Sequence, residues 1–369
     1  MYSESDLESA VAGGALTAAQ AEAFRNYVSA GRHTPMVDEE HFRLLTGFND
    51  IFVSIAAAIL LVAVGWIGYY IPPNIEGDGP SPFIGLLVAV TAWGLAEFFT
   101  RQRRMALPSI LLLLAFVGGV FAFAGFTLVL GYGTDNLDDN GPAGALILAA
   151  AAAIAAGAAW LHWRRFRVPI TVAAGAAAGV ALVLGLIASA FVGGLHEGGD
   201  VEPIKTVMLV SALLLGVATF LFAMWWDGSD PKRETRRSDV AFWLHLLAAP
   251  LIVHPVFDLL GFTQGAATTL DAAIVILLYV VLGLVALAID RRALLVSALA
   301  YVLYALNSLF QTYGNVELSF ALTALVIGSA LLLLSAFWAS ARRAVVKPLP
   351  GGLQTRLPAI DRKAVAAAA

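Results

Sequence analysis

The chain has no cysteine, which excludes disulfides, thiolate metal sites and a cysteine nucleophile. Charge is scarce as well. Only 13% of residues are Asp, Glu, Lys or Arg, about half the ~25% of a soluble domain. There is no H-E-x-x-H, no G-x-S-x-G and no phosphate-binding loop, so an intramembrane hydrolase or transferase built on His and Asp would lack a nucleophile or a complete metal set. No catalytic residue, cofactor or metal is therefore expected. A basic nucleic-acid footprint is missing too. The N-terminal stretch, with Glu4, Asp6 and Glu8, lacks the basic and apolar regions of a cleaved signal peptide, and none is expected.

What the chain has is apolar length. Sixty per cent of its residues are hydrophobic and mean hydropathy is +0.82. Ten runs, at 51–71, 83–100, 106–131, 143–163, 169–192, 204–226, 240–260, 270–289, 293–310 and 318–338, approach or exceed the ~20 residues a helix needs to cross a bilayer. Twenty-one of the 22 Lys and Arg residues fall in segments that alternate with those runs, Lys205 being the exception. Cytoplasmic loops carry such an excess. The pattern predicts an all-α polytopic membrane protein with ten transmembrane helices and both termini inside. Arg outnumbers Lys 18 to 4, a coding bias of high-GC bacteria, which points to the cell inner membrane. Trp66, Tyr69 and Tyr70 at the outer ends, and Trp160, Trp163, Trp225, Trp226, Trp243 and Trp338 at the inner ends, fit interfacial belts. Gly175-x-x-x-Gly179 and the alanines of 149–159 read as close-packing surface.

Three regions follow. Residues 1–46 read as a cytoplasmic helical hairpin with an amphipathic lead-in. Gly13-Gly14 breaks the first helix, Thr17 and Gln20 form a capping box for the second, and Leu7 and Val11 face Leu16, Ala23 and Tyr27. Residues 47–340 hold the ten spans. Residues 341–369, with Pro348, Pro350, Gly351, Gly352 and Pro358, read as a disordered cytoplasmic tail. A 30-residue hairpin is too small for a core of its own; the membrane domain, a second copy or a membrane-protein partner docking through residues 1–46 would complete it. The run Gly14-Ala15-Leu16-Thr17-Ala18-Ala19-Gln20-Ala21, followed by a polytopic domain, resembles bacterial predicted membrane proteins of unknown function that begin with such a hairpin. The resemblance implies an architecture and no functional residues.

Ionisable groups inside spans are functional candidates. The seventh run holds His245, His254 and Asp258. His254 and Asp258 are four apart and share a face, whereas His245 lies nine positions before His254, about half a turn around the helix. Pro250 and Pro255 predict a kinked or interrupted helix that frees carbonyls. The ninth run carries a polar stripe, Ser297, Tyr301, Tyr304, Ser308 and Gln311, flanked by Asn307. Glu97 and Arg101 read as an i,i+4 pair at the membrane interface, and Asp290 beside Arg291 and Arg292 as a turn contact. Two functions fit. One is handling of an unidentified small solute or proton through a polar cavity between spans seven and nine, with His254 and Asp258 as a relay. The alternative is a non-catalytic sensing, assembly or envelope protein that docks a partner through its N-terminal hairpin.

Overall fold

Runs of Leu, Ala and Val with no polar side chains to bond their backbone must satisfy it internally. Every element of the computed structural model is accordingly a helix among the residues it describes: 7, 10–24, 48–138, 141–192, 202–230, 235–261, 269–292, 295, 299, 302–303, 316–354 and 357–358. The chain divides into two units, Met1–Arg43 and Leu44–Ala369.

In the first unit, Gly14 takes φ +73°. Ala15 N–H reaches Ala10 O at 2.8 Å and Gly14 N–H reaches Val11 O at 3.1 Å, the paired bonds that close a helix on a left-handed glycine. Thr17 N–H donates to Gln20 Oε1 at 2.9 Å while Gln20 N–H donates to Thr17 Oγ1 at 3.2 Å. That reciprocal pair is the capping box expected from the sequence, and it opens a helix over 18–24. Leu7 and Ala21 are buried; Ala23 is exposed. Tyr27 and the lead-in around 38–46 lie outside the described residues.

The second unit comprises α1 (Phe48–Tyr69), α2 (Pro82–Ala96, continued by a π-helical turn Glu97–Gln102), α3 (Ala106–Tyr132), α4 (Gly141–Phe166), α5 (Ile170–Val192), α6 (Glu202–Gly228), α7 (Arg236–Leu259), α8 (Thr269–Ile289), α9 (Val316–Ala336) and α10 (Trp338–Val346). Among the described residues seven helices, α1 through α7, are long and apolar enough to cross a membrane. The bent pair α9–α10 makes an eighth if counted as one span, and α8 contributes the shorter apolar helix Ala273–Ile289. The helical bundle fits a multi-pass membrane protein. Of the predicted ninth run, residues 295, 299 and 302–303 are described, all helical.

Sequential helices pack as neighbours from α1 to α5, α6 lies against α7, and α5 joins the two groups through α7. Small residues set the crossings. Gly85 and Gly119 place the α2 and α3 backbones in direct contact: a Cβ on Gly119 would lie 2.7 Å from Gly85 O. A Cβ on Gly216 of α6 would lie 2.8 Å from the Leu251 carbonyl carbon of α7. Of the expected glycine pair, Gly175 meets Ala159 at ordinary distance and Gly179 faces open space.

The inner position belongs to α7. Half of its apolar window is buried, against 17–33% for the other six. It supplies Val253 and Phe257 to a cluster with Val275 and Val302, Ala249 to one with Ala286 and Trp338, and Val240 and Leu244 to one with Ala173 and Ala223. Val302, in the predicted ninth run, therefore shares a buried apolar cluster with α7. Pro250 and Pro255 sit inside α7, which runs past both from Arg236 to Leu259.

Of the region 341–369, residues 341–354 and 357–358 are described, and they hold the rest of α10 and a short helix, Gly351–Gln354. The chain bends by 74° between α9 and α10. Trp338, Arg342 and Val346, at four-residue steps, form the buried face of α10. Arg342 Nη2 donates to Pro358 O at 2.5 Å, securing the chain beyond it. Trp338 is consequently a buried residue and not a member of an interfacial belt.

Candidate functional site

Asp227 lies in the last turn of α6, where the helix dipole disfavours an acid. It is tolerated because two other elements bring partners to it. Arg291, just beyond the end of α8, donates from Nε to Asp227 Oδ2 at 3.2 Å and from Nη2 to Oδ1, a bidentate grip. His245 Nε2, from α7, lies 3.2 Å from Asp227 Oδ2. Arg291 Nη2 further donates to both Ser238 O and Ser238 Oγ at 3.1 Å. Asp227 is 5% exposed, Arg291 2% and His245 0%, so a carboxylate, a guanidinium and an imidazole meet out of reach of bulk water. The His245 ring packs edge-on to Phe220, with centroids 5.2 Å apart.

Local chain geometry delivers Arg291. Asp290 has φ +57°, and Arg291 N–H reaches Ala286 O at 2.9 Å while Asp290 N–H reaches Leu287 O at 3.3 Å. These bonds end α8 on a left-handed residue, a role usually given to glycine and sometimes to a short polar side chain. The three residues of the turn then act separately. Asp290 Oδ1 accepts from Trp338 Nε1 at 2.8 Å and lies 3.7 Å from Arg342 Nε. Arg291 goes to Asp227, and Arg292 lies over the Trp338 ring at 4.8 Å. Asp290, read as a turn contact, thus also ties α8 to α10.

The opposite ends of α6 and α7 carry a second ion pair. Lys205 Nζ meets Asp258 Oδ1 at 2.9 Å, with Lys205 37% and Asp258 12% exposed. The basic residue that stood outside the charge pattern and the acid proposed for a relay are partners. His254 is exposed while His245 is fully buried, as their half-turn separation requires. Tyr301, Tyr304, Asn307 and Gln311 lie outside the described residues, as do Ser297 and Ser308.

A third polar group joins α2 to α4. Glu97, in the π-helical turn, accepts from Arg101 at 3.3 Å, the pair expected from spacing, and from Arg165 Nε and Nη2 at 2.7 and 2.9 Å. His162, passed over in the sequence, is fully buried among the rings of Trp93, Phe116 and Phe166, with Nδ1 3.3 Å from Thr171 Oγ1. An open apolar groove of about 470 Å³ between α1 and α2 is walled by Leu61, Gly65, Trp66, Ile84 and Val88. Among the described residues no group of three or more His, Asp or Glu could hold a metal ion.

Sequence reading missed Asp227 and misassigned Arg291. Asp227 fell one residue past the sixth apolar run, and Arg291 counted as one more solvated loop cation. The available signal was the acid itself: Trp225-Trp226-Asp227 puts a lone carboxylate at a membrane edge beside aromatics. Comparison with family models, with curated proteins and with solved structures returns no match.

Proposed function

We propose that the chain is a ten-span protein of the cell inner membrane, both termini cytoplasmic, that handles a small solute or proton, with Asp227, His245 and Arg291 as its proton-responsive centre. The sorting of 21 of 22 basic residues supports the orientation. One observation carries the function: a buried carboxylate shared between a permanent cation and an imidazole. Ionisable groups held inside a membrane bundle are costly and mark ion pathways, and histidine exchanges protons in the physiological range. With His245 neutral, Asp227 and Arg291 cancel. A proton on His245 leaves the buried group with one net positive charge, and the bundle relieves it by loosening Arg291 from Asp227. That loosens α8 from α6 and α7, on the side where α7 shares a cluster with Val302 and where the polar stripe of the ninth run follows in sequence. His254 and Asp258 serve the outer end of the same helix.

The test is proton entry into liposomes that hold the full chain and a pH-sensitive dye, driven by a potassium diffusion potential with sugars, amino acids and organic anions supplied in turn. Asp227→Asn and His245→Ala are expected to bring entry down to that of protein-free vesicles. Wild-type vesicles no faster than protein-free ones under every solute would overturn the reading.

A second reading rests on the separation of Met1–Arg43 as its own unit: a sensing or assembly protein that docks a second copy or a membrane-protein partner through its N-terminal hairpin. Deletion of residues 1–43 would then abolish the cellular phenotype while leaving the membrane unit intact.

A further inference from the structure

Between Arg43 and Arg101 the sequence holds no Lys or Arg, and the turn that joins α1 to α2 within it is firmly built. Asn74 Nδ2 donates to Tyr69 O at 2.8 Å and to Gly79 O at 2.9 Å, and Ser81 Oγ donates to Ile71 O at 2.6 Å. The Tyr69 hydroxyl donates to Asp78 O at 2.5 Å, fixing the last ring of α1 to the turn. That ring stacks on Trp66 with centroids 6.0 Å apart, and Tyr70 stands edge-on to both at 6.0 and 5.5 Å. Trp66 is 64% exposed and Tyr70 68%, so their outer faces are open. Glu76 and Asp78 lie exposed on the same turn, and no described Lys or Arg pairs with either. Below the rings the two helices part. Gly68 sits so close to α2 that a Cβ there would lie 2.5 Å from Phe83 O. Deeper along the pair, the open groove of about 470 Å³ runs between Val62, Gly65, Ile84 and Val88, with Trp66 and Tyr69 at its head.

We propose that this corner of the bundle binds an aminophospholipid, with its ammonium at the turn and one acyl chain in the groove. Each part of such a lipid meets matching chemistry. The groove follows α1 away from the turn for about 10 Å between Tyr69 and Val62, at 1.5 Å per residue, which is the direction a chain takes from its headgroup. The open ring faces attract a cation. Two carboxylates with no basic neighbour in the turn draw a positive headgroup and repel one of net negative charge. A primary ammonium also donates hydrogen bonds to carboxylates, which a trimethylammonium cannot do, so ethanolamine is favoured over choline. The turn is held by its own hydrogen bonds and loses little freedom when the lipid arrives. A second copy fits less well. Two copies in one membrane share an orientation, so pairing through α1 would set each acidic turn beside its twin. The proposal rests on the apolar helices lying in a bilayer, but not on proton coupling or on which leaflet the turn faces.

The experiment uses the full chain in detergent, with phosphatidylethanolamine, phosphatidylcholine or phosphatidylglycerol of the same acyl chains added and retained lipid counted by native mass spectrometry. Wild-type protein should retain phosphatidylethanolamine over phosphatidylglycerol by about fivefold, since an exposed ion pair or an open ring is each good for a factor of about two to five. Glu76→Gln/Asp78→Asn, two surface changes, should bring phosphatidylethanolamine and phosphatidylcholine to equal retention. Trp66→Leu keeps an apolar wall without the ring face and should weaken phosphatidylethanolamine retention by about two- to fivefold. Val62→Trp, made from an exposed position on the groove wall, should lower retention of all three lipids. The turn pair carries the test alone if Val62→Trp does not fold. Equal retention of the three lipids by wild type overturns the proposal. So does a turn pair or a Val62→Trp protein that binds like wild type, or an Asp135→Asn control, at another exposed acid, that loses as much as the turn pair. Displacement of the lipid by millimolar ethanolamine would assign the turn to a free amine, and a wild-type dimer mass that Val62→Trp abolishes would assign the groove to a second copy; either result also overturns it.

Discussion

The α6–α7 pair is fastened by charge at both ends, and the two fastenings differ in almost every respect. At one end Asp227 is gripped by Arg291, touched by His245 and shut away from water. At the other, Lys205 and Asp258 meet at 2.9 Å with the lysine more than a third exposed. An exposed pair trades water for a partner at little net gain. A buried pair has already given up its hydration, so its members depend on one another for everything. Composition is nearly the same at both ends; solvent access makes one a clasp and the other a surface contact.

Removing the buried carboxylate should expose that difference most sharply. Asp227→Ala leaves Arg291 enclosed without its counter-charge, and the loss of stability should be about 3–5 kcal/mol, read as a large fall in the tryptophan-fluorescence melting temperature in detergent. Asp227→Asn keeps some hydrogen bonding and should fall less. A melting temperature for Asp227→Ala no lower than that of Lys205→Ala would erase the contrast between the ends.

Gly216 lies between the two fastenings, and its effect should reach both. Its Cβ position falls within 2.8 Å of the Leu251 backbone, so Gly216→Val must push α6 off α7. Overpacking of this kind costs about 1–3 kcal/mol. Crosslinking between cysteines placed at 205 and 258, and separately at 227 and 245, should weaken together in this variant. Weakening at one end alone would show that the ends are independent.

Trp338→Phe takes the donor from Asp290 but leaves Arg342 nearby. One buried acceptor bond is lost for about 1 kcal/mol, with limited proteolysis after residue 346 accelerated as α10 loosens. Unchanged cleavage would mean that apolar packing around Leu287 and Val345 holds α10 without the indole.

The parts of the fold that sequence disclosed are those that depend on local pattern. Apolar length marked α1 to α8 within a few residues, Thr17 and Gln20 signalled their capping box, and Glu97 with Arg101 their i,i+4 contact. The clasp was hidden because it is assembled from three helices whose order in sequence, 227, 238, 245 and 291, says nothing of their convergence. Counting loop arginines by sign treats each one alike, and Arg291 differs from Arg292 only in which way a left-handed Asp290 turns the chain. The bend at Phe337 was hidden for the same reason. Nothing in 318–346 breaks the apolar and basic pattern, and the reversal of direction is enforced by where Trp338 and Arg342 find partners.

The smallest effects belong to the Lys205–Asp258 end. Lys205→Ala and Asp258→Ala should each move the melting temperature only slightly, and the double variant no further than the larger of the two, since removing either partner already removes the contact. His254→Ala, on the exposed side of α7, should lower the melting temperature far less than Asp227→Ala. If proton entry nevertheless falls in His254→Ala and Asp258→Ala while both proteins melt like wild type, this end of α7 serves transport rather than fastening. The two ends of α6–α7 would then divide along function as well as solvent access: a buried clasp that loosens only when His245 takes a proton, and a half-exposed contact that opens on its own.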